Sequence, residues 1–91
     1  MANIPFNNGT VRDQSLTSES MLKVWVSPND ANSADTVQLP VIKNRTLRTV
    51  SCVRQDTGAH VTAPIDSNGI ATLDVGGSAT SKEFVLTYLY K

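Results

Sequence analysis

The sequence predicts an all-β fold, a small antiparallel β-sandwich of about six strands preceded by an extended N-terminal arm. Val and Thr, ten of each, make up 20 of the 91 residues, and β-branched side chains suit a pleated sheet better than a helix. Apolar residues recur in alternation, the period of a strand with one buried face. The alternating segments are short and bounded by Gly, Pro, Asn, Asp and Ser, the residues of turns. A chain of 91 residues supports one modest core, since a domain of this size buries only about 60–65% of its unfolded surface.

Residues 1–21 are rich in Asn and Ser and hold no sustained period, with Asn8-Gly9 as a turn signal and Ile4, Phe6 and Val11 as isolated apolar residues. They read as the arm, and 22–91 as a single sandwich domain. From Leu22 the pattern sharpens. Leu22, Val24 and Val26 point inward, Lys23 and Trp25 point away, and Ser27-Pro28-Asn29-Asp30 opens a polar loop over 27–35. The run 36–42 places Val37, Leu39 and Val41 inward. Pro40, on the opposite parity and without a ladder donor, assigns this strand to an edge. Three alternating runs follow, 46–54, 59–65 and 70–75, separated by Gln55-Asp56-Thr57-Gly58 and Asp66-Ser67-Asn68-Gly69. Each connector ends in Gly, which closes a type I turn at positive φ without a Cβ penalty, so the three runs form a meander of two hairpins. Residues 76–81 are a flexible connector. The last run, 83–91, is apolar on both parities, with Phe84, Leu86, Tyr88 and Tyr90 on one and Val85 and Leu89 on the other. Such a strand is central, or its second face is capped by another chain.

The stretch Asp66-Ser67-Asn68-Gly69-Ile70-Ala71-Thr72-Leu73 resembles the D-x-N-G-x-A-T-L hairpin of bacterial and phage immunoglobulin-like sandwich domains. The resemblance implies an immunoglobulin-like topology, with a jelly-roll-like one as the other arrangement that six such strands allow. It also implies an adhesive or structural role of the kind those domains serve in surface and virion proteins.

The inventory of reactive side chains argues against an enzyme. Cys52 and His60 are the sole members of their types; the parity of their runs turns Cys52 inward with Val50 and His60 to the opposite face, so no nucleophile and base assemble. Six of the eight acids are Asp in turns or at strand ends, where backbone geometry explains them. One Cys and one His cannot complete a zinc site. Asp30, Asn32 and Asp35 lack the glycine turn and distal Glu of a calcium loop. Gly76-Gly77 opens no phosphate loop. No catalytic residue, cofactor or metal is expected. No apolar run exceeds three residues, so neither a membrane span nor an export leader before Asn3 is expected.

Eight basic residues balance eight acids, yet Lys43, Arg45, Arg48 and Arg54 fall within twelve residues that hold no acid. This strip is either a solvated face paired with Asp56, Asp66 and Asp74, or an anion-facing patch. It holds no aromatic side chain to stack a base, which disfavours nucleic acid. Trp25, placed on the outward parity, either meets another protein or covers a second core under the arm. With Ile4, Phe6, Val11, Tyr88 and Tyr90 it forms the expected protein interface. The leading expectation is therefore a non-enzymatic structural protein: a homo-oligomeric virion component, a phage capsid decoration or cement protein or other accessory head or tail part. It would bind a capsid or other repetitive scaffold and assemble in the host cytoplasm. A carbohydrate- or receptor-binding module using Trp25, Tyr88 and Tyr90 is the alternative. A nucleic-acid binder using the basic strip is a weaker one.

Overall fold

A computed structural model describes residues 2–15 and 21–91. Seven strands make up two sheets: β1 (Asn3–Ile4), β2 (Thr10–Ser15), β3 (Met21–Val26), β4 (Thr36–Gln38), β5 (Leu47–Arg54), β6 (Ile70–Thr72) and β7 (Phe84–Tyr90). A three-stranded sheet has the order β1-β4-β6 and a four-stranded sheet the order β2-β3-β7-β5. All neighbours are antiparallel except β1 and β4, which run parallel. The all-β sandwich is as the composition predicts, and no α-helix occurs among the described residues.

The N-terminal segment is extended, and it is part of both sheets. β1 pairs with β4, a single 3₁₀ turn at Phe6–Asn8 follows, and β2 pairs with β3 along its whole length. The chain thus crosses from one sheet to the other within its first fifteen residues. Two-residue β1 is too short to show a period, and β2 is polar enough to read as a loop.

Strand β3 faces the opposite way from the expectation. Trp25 is fully buried, whereas Leu22, Val24 and Val26 are half-buried on the outer face. The reason lies in the partner strand. Register sets Trp25 against Leu86 and Val24 against Thr87, and directly opposed residues of a ladder share a face. Phe84, Leu86, Tyr88 and Tyr90 are all buried, so the parity that holds the large rings of β7 carries Trp25 inward with it. A large aromatic buries about 150–250 Å², and collecting four aromatic rings and Leu86 on one side outweighs three aliphatic side chains on the other.

Strand β4 is central, not an edge. Pro40 lies beyond its end, so no ladder donor is lost, and Val41 points to solvent. Strand β5 contains a bulge: Thr49 pairs with Tyr88 and Ser51 with Thr87, leaving Val50 as the extra residue. The extra residue reverses the alternation. Cys52 is therefore buried at 1% exposure while Val50 stands out at 54%, although the sequence alternation places them together. The run 59–65 is a crossover rather than a full strand. It bridges β5 at His60 and β6 at Ile65, so the expected meander is divided between the two sheets. Both glycine-closed turns are present, with Gly58 at φ +70° and Gly69 at φ +81°.

The core between the sheets is built from Trp25, Cys52, Phe84, Leu86, Tyr88 and Tyr90 on one side and Ile4, Val37, Leu39, Ala71 and Leu73 on the other.

Candidate protein-interaction surface

Most of the aromatic residues expected at an interface are core. The indole of Trp25 stacks on Phe6 with ring centroids 6.2 Å apart, and its Nε1–H donates to the Phe6 carbonyl at 3.0 Å. Tyr88 and Tyr90 meet edge to face at 5.7 Å, and the Tyr90 hydroxyl donates to the Pro40 carbonyl. Ile4 is buried, Phe6 is half-buried against the core and Val11 is exposed. Of the six, Val11 alone is open to a partner. Trp25 and the tyrosines cannot form a sugar-stacking platform, because their faces already pack inside the chain.

Cys52 and His60 fall on opposite faces, as their parity predicts. Val61 N–H donates to the Cys52 carbonyl at 2.8 Å and His60 lies opposite Val53. Burial pushes the Cys52 thiol up to about 12, with the Asp74 carboxylate adding to the rise, so the reactive thiolate is suppressed at neutral pH. The loop carboxylates serve the backbone. Asp35 accepts from Ala2 N–H and Asn32 N–H, each at 2.9 Å. Asp74 accepts from the Ser33 hydroxyl at 2.9 Å, and that hydroxyl in turn accepts from Ala79 N–H at 2.7 Å. Asn32 Oδ1 accepts from Ser81 N–H at 2.8 Å. This network ties loop 27–35 to 74–81 and was not legible in the sequence, where both stretches read simply as polar. Among the described residues no cluster of His, Cys, Asp or Glu is placed to hold a metal.

The basic strip is divided by the fold. Arg54 forms a forked pair with Asp56, at 3.2 Å and 2.9 Å, and Lys82 approaches the same carboxylate at 3.7 Å. Hydrogen bonding from Arg54 holds the Asp56 carboxyl below its ordinary value. Asp66 instead closes its own turn, accepting from Asn68 N–H and Ile70 N–H. Arg48 stands on β5, exposed, on the outer face, and Lys43 and Arg45 belong to the loop before it.

What remains is apolar surface in two places. An open groove of about 560 Å³ runs along the bulged part of β5, lined by Val50, Cys52, Val61, Ala63, Pro64 and Val75. The second is the outer face of the four-stranded sheet. Its ladder rows align Gln14, Leu22, Leu89 and Arg48; then Arg12, Val24, Thr87 and Ser51; then Thr10, Val26, Val85 and Val53. These apolar side chains are half-buried. The partly buried apolar residues packed on the core are Phe6, Ile42, Leu47, Val61 and Ile65, and the six on the outer face are not among them. Alternation on β7 pointed to this face through Val85 and Leu89. Leu22, Val24 and Val26 were hidden by the inverted parity of β3.

No family model, curated protein or solved structure matches this chain.

Proposed function

We propose that this chain is a non-enzymatic structural protein whose outer sheet face binds and stabilises a larger protein assembly. The observation that carries the reading is that face: Leu22, Val24, Val26, Val53, Val85 and Leu89 on three adjacent strands, directed away from the core. An antiparallel sheet with one wet face normally alternates apolar inside with polar outside. A contiguous apolar face on a small domain marks a site of association. Further support comes from the polar side chains, which are committed to the protein's own backbone; among the described residues no buried side-chain nitrogen or oxygen lacks a partner.

The setting that best suits a small sandwich of this kind is a virion, with the chain as a capsid decoration or cement component, homo-oligomeric and assembled in the host cytoplasm. The 66–73 hairpin, which resembles that of immunoglobulin-like domains, is in keeping with such a role. The test is the mass of the species that contains the chain when it is isolated gently from its source. The reading predicts a particle far heavier than the chain, from which Val24→Lys is lost. Recovery of the native chain as a free monomer, or undiminished incorporation of Val24→Lys, refutes it.

A further inference from the structure

We propose that Asn8 is a site of spontaneous deamidation in the folded protein, and that the isoaspartate formed there loosens the N-terminal segment from Trp25.

Two asparagines precede a glycine, Asn8 and Asn68, and both are exposed. The fold demands each of these glycines. A Cβ on Gly9 would run into the Trp25 indole, and one on Gly69, at φ +81°, would come 2.8 Å from Val41 Cγ2. A chemical liability follows. The backbone nitrogen after an asparagine can attack that residue's own Cγ, and because both groups belong to one chain the step is unimolecular. A side chain on the attacking residue hinders the approach, and glycine has none. At the first site the Gly9 nitrogen gives its proton to hydroxide and bonds to Asn8 Cγ. The bond from Cγ to the side-chain nitrogen breaks, and ammonia leaves. Water then opens the five-membered imide at either carbonyl. One product is aspartate; the other is isoaspartate, in which the chain runs through the former side-chain carbon.

The surroundings of the two sites differ. Gly9 N–H donates to the Phe6 carbonyl at 3.2 Å and Gly69 N–H to the Asp66 carbonyl at 3.1 Å, so each nitrogen is held back until its turn opens. The Asn68 turn is tied on several sides. Asn68 N–H and Ile70 N–H donate to Asp66 Oδ1 at 2.8 Å and 3.0 Å. Gln38 Nε2–H donates to the Asn68 carbonyl at 2.8 Å and Leu39 N–H to the Gly69 carbonyl at 2.9 Å. Asn8, by contrast, ends a single 3₁₀ turn that has no side-chain cap. Its N–H donates to the Pro5 carbonyl at 2.9 Å, so this bond and that of Gly9 both lie within the turn and its cap residue. Elements with few outside ties open far more often than the whole fold. Asn8 therefore reacts from the native state, whereas Asn68 waits for the end of the β4–β6 pair to come apart.

The product disturbs a packed contact. The Phe6 carbonyl accepts both from Gly9 N–H and from Trp25 Nε1–H, and Gly9 lies too close to the indole to admit a methyl group. Isoaspartate at position 8 adds one backbone carbon between Phe6 and Gly9 and leaves a charged carboxylate on the turn. Gly9 then cannot keep both its hydrogen bond and its seat on the indole.

The test is incubation of the purified native chain in mildly alkaline buffer, with peptide mapping by mass spectrometry and enzymatic labelling of isoaspartate over time. Asn8 is expected to convert steadily while Asn68 lags by about tenfold or more, the weight of one or two net hydrogen bonds in the opening step. In urea the two rates should converge. Trp25 is the single tryptophan, so its emission reports the second half of the proposal. The isoaspartyl form is expected to emit further to the red and to melt at a lower temperature. Fresh Asn8→Asp, which gains the charge without the extra backbone carbon, should do neither. Asn8→Gln, an exposed change whose melting curve checks the fold, should abolish the drift in emission on ageing. Native conversion at Asn68 as fast as at Asn8, or conversion at Asn8 in urea alone, overturns the site. An isoaspartyl form with unchanged emission and melting overturns the loosening.

Discussion

The Trp25 ring system is held by stacking on Phe6 and by its hydrogen bond to the Phe6 carbonyl, so one side chain fastens the N-terminal segment across the end of the sandwich. Trp25→Ala is expected to cost about 3–5 kcal/mol in urea unfolding, the range for a large aromatic removed from a core. Gly9 belongs to the same contact, since a Cβ there would run into the indole and the Val26 carbonyl. Gly9→Ala should therefore destabilise although the φ of −97° suits any residue. The Cys52 thiol, buried and raised from 9.0 to about 12, should resist a thiol reagent in the native protein and react only as the chain opens. Rapid labelling under native conditions contradicts that burial. At this scale the sequence was legible wherever chemistry is local. The Asp66 turn, the opposite placement of Cys52 and His60 and the inward rings of β7 all follow from neighbours within a few positions. Trp25 was not, because the face it occupies is decided by β7, some sixty residues away along the chain.

At the scale of the element, the two glycine-closed turns look alike in sequence and differ in surroundings. Nothing lies within 4 Å of a Cβ placed on Gly58, whereas one on Gly69 would come 2.8 Å from Val41 Cγ2 and 3.1 Å from Gln38 Nε2. Both residues have positive φ, so Gly58→Ala should cost about 1–2 kcal/mol, the left-handed penalty alone. Gly69→Ala should cost more, because the neighbours must also move, and thermal unfolding of the two variants compares them. The β5 bulge explains why strand existence was legible while facing was not: one extra residue at Val50 leaves the alternating pattern intact to the eye and reverses it in space. Pro40 misled for a related reason. It lies just past the short β4, where the lost donor has no ladder to weaken.

For the whole molecule, the buried thiol of Cys52 and the phenol of Tyr90 bear on stability in alkali. Both pKa values are raised in the fold by burial, from 9.0 and from 10.0. The unfolded chain therefore loses these protons first as pH rises. Their contribution is complete below about pH 8 and declines above it, so the urea midpoint should fall between about pH 8 and about pH 10.5. A midpoint that stays level or rises over that interval contradicts the burial of these groups. Sandwich class and turn positions were open to the sequence because they rest on composition and period. Division of the strands into two sheets was not, since the parallel β1–β4 pair and the crossover at 59–65 depend on contacts between distant segments.

The central claim is that the outer face of the four-stranded sheet is where this protein meets its partners. Carbene or hydroxyl-radical footprinting of the isolated chain at low concentration and of the same chain in its native assembly measures this directly. Protection on assembly is predicted at Leu22, Val24, Val26, Val85 and Leu89, with Val41, exposed and outside the strands of that sheet, labelled equally in both. Unchanged labelling of those five positions, with protection appearing elsewhere, would contradict the account.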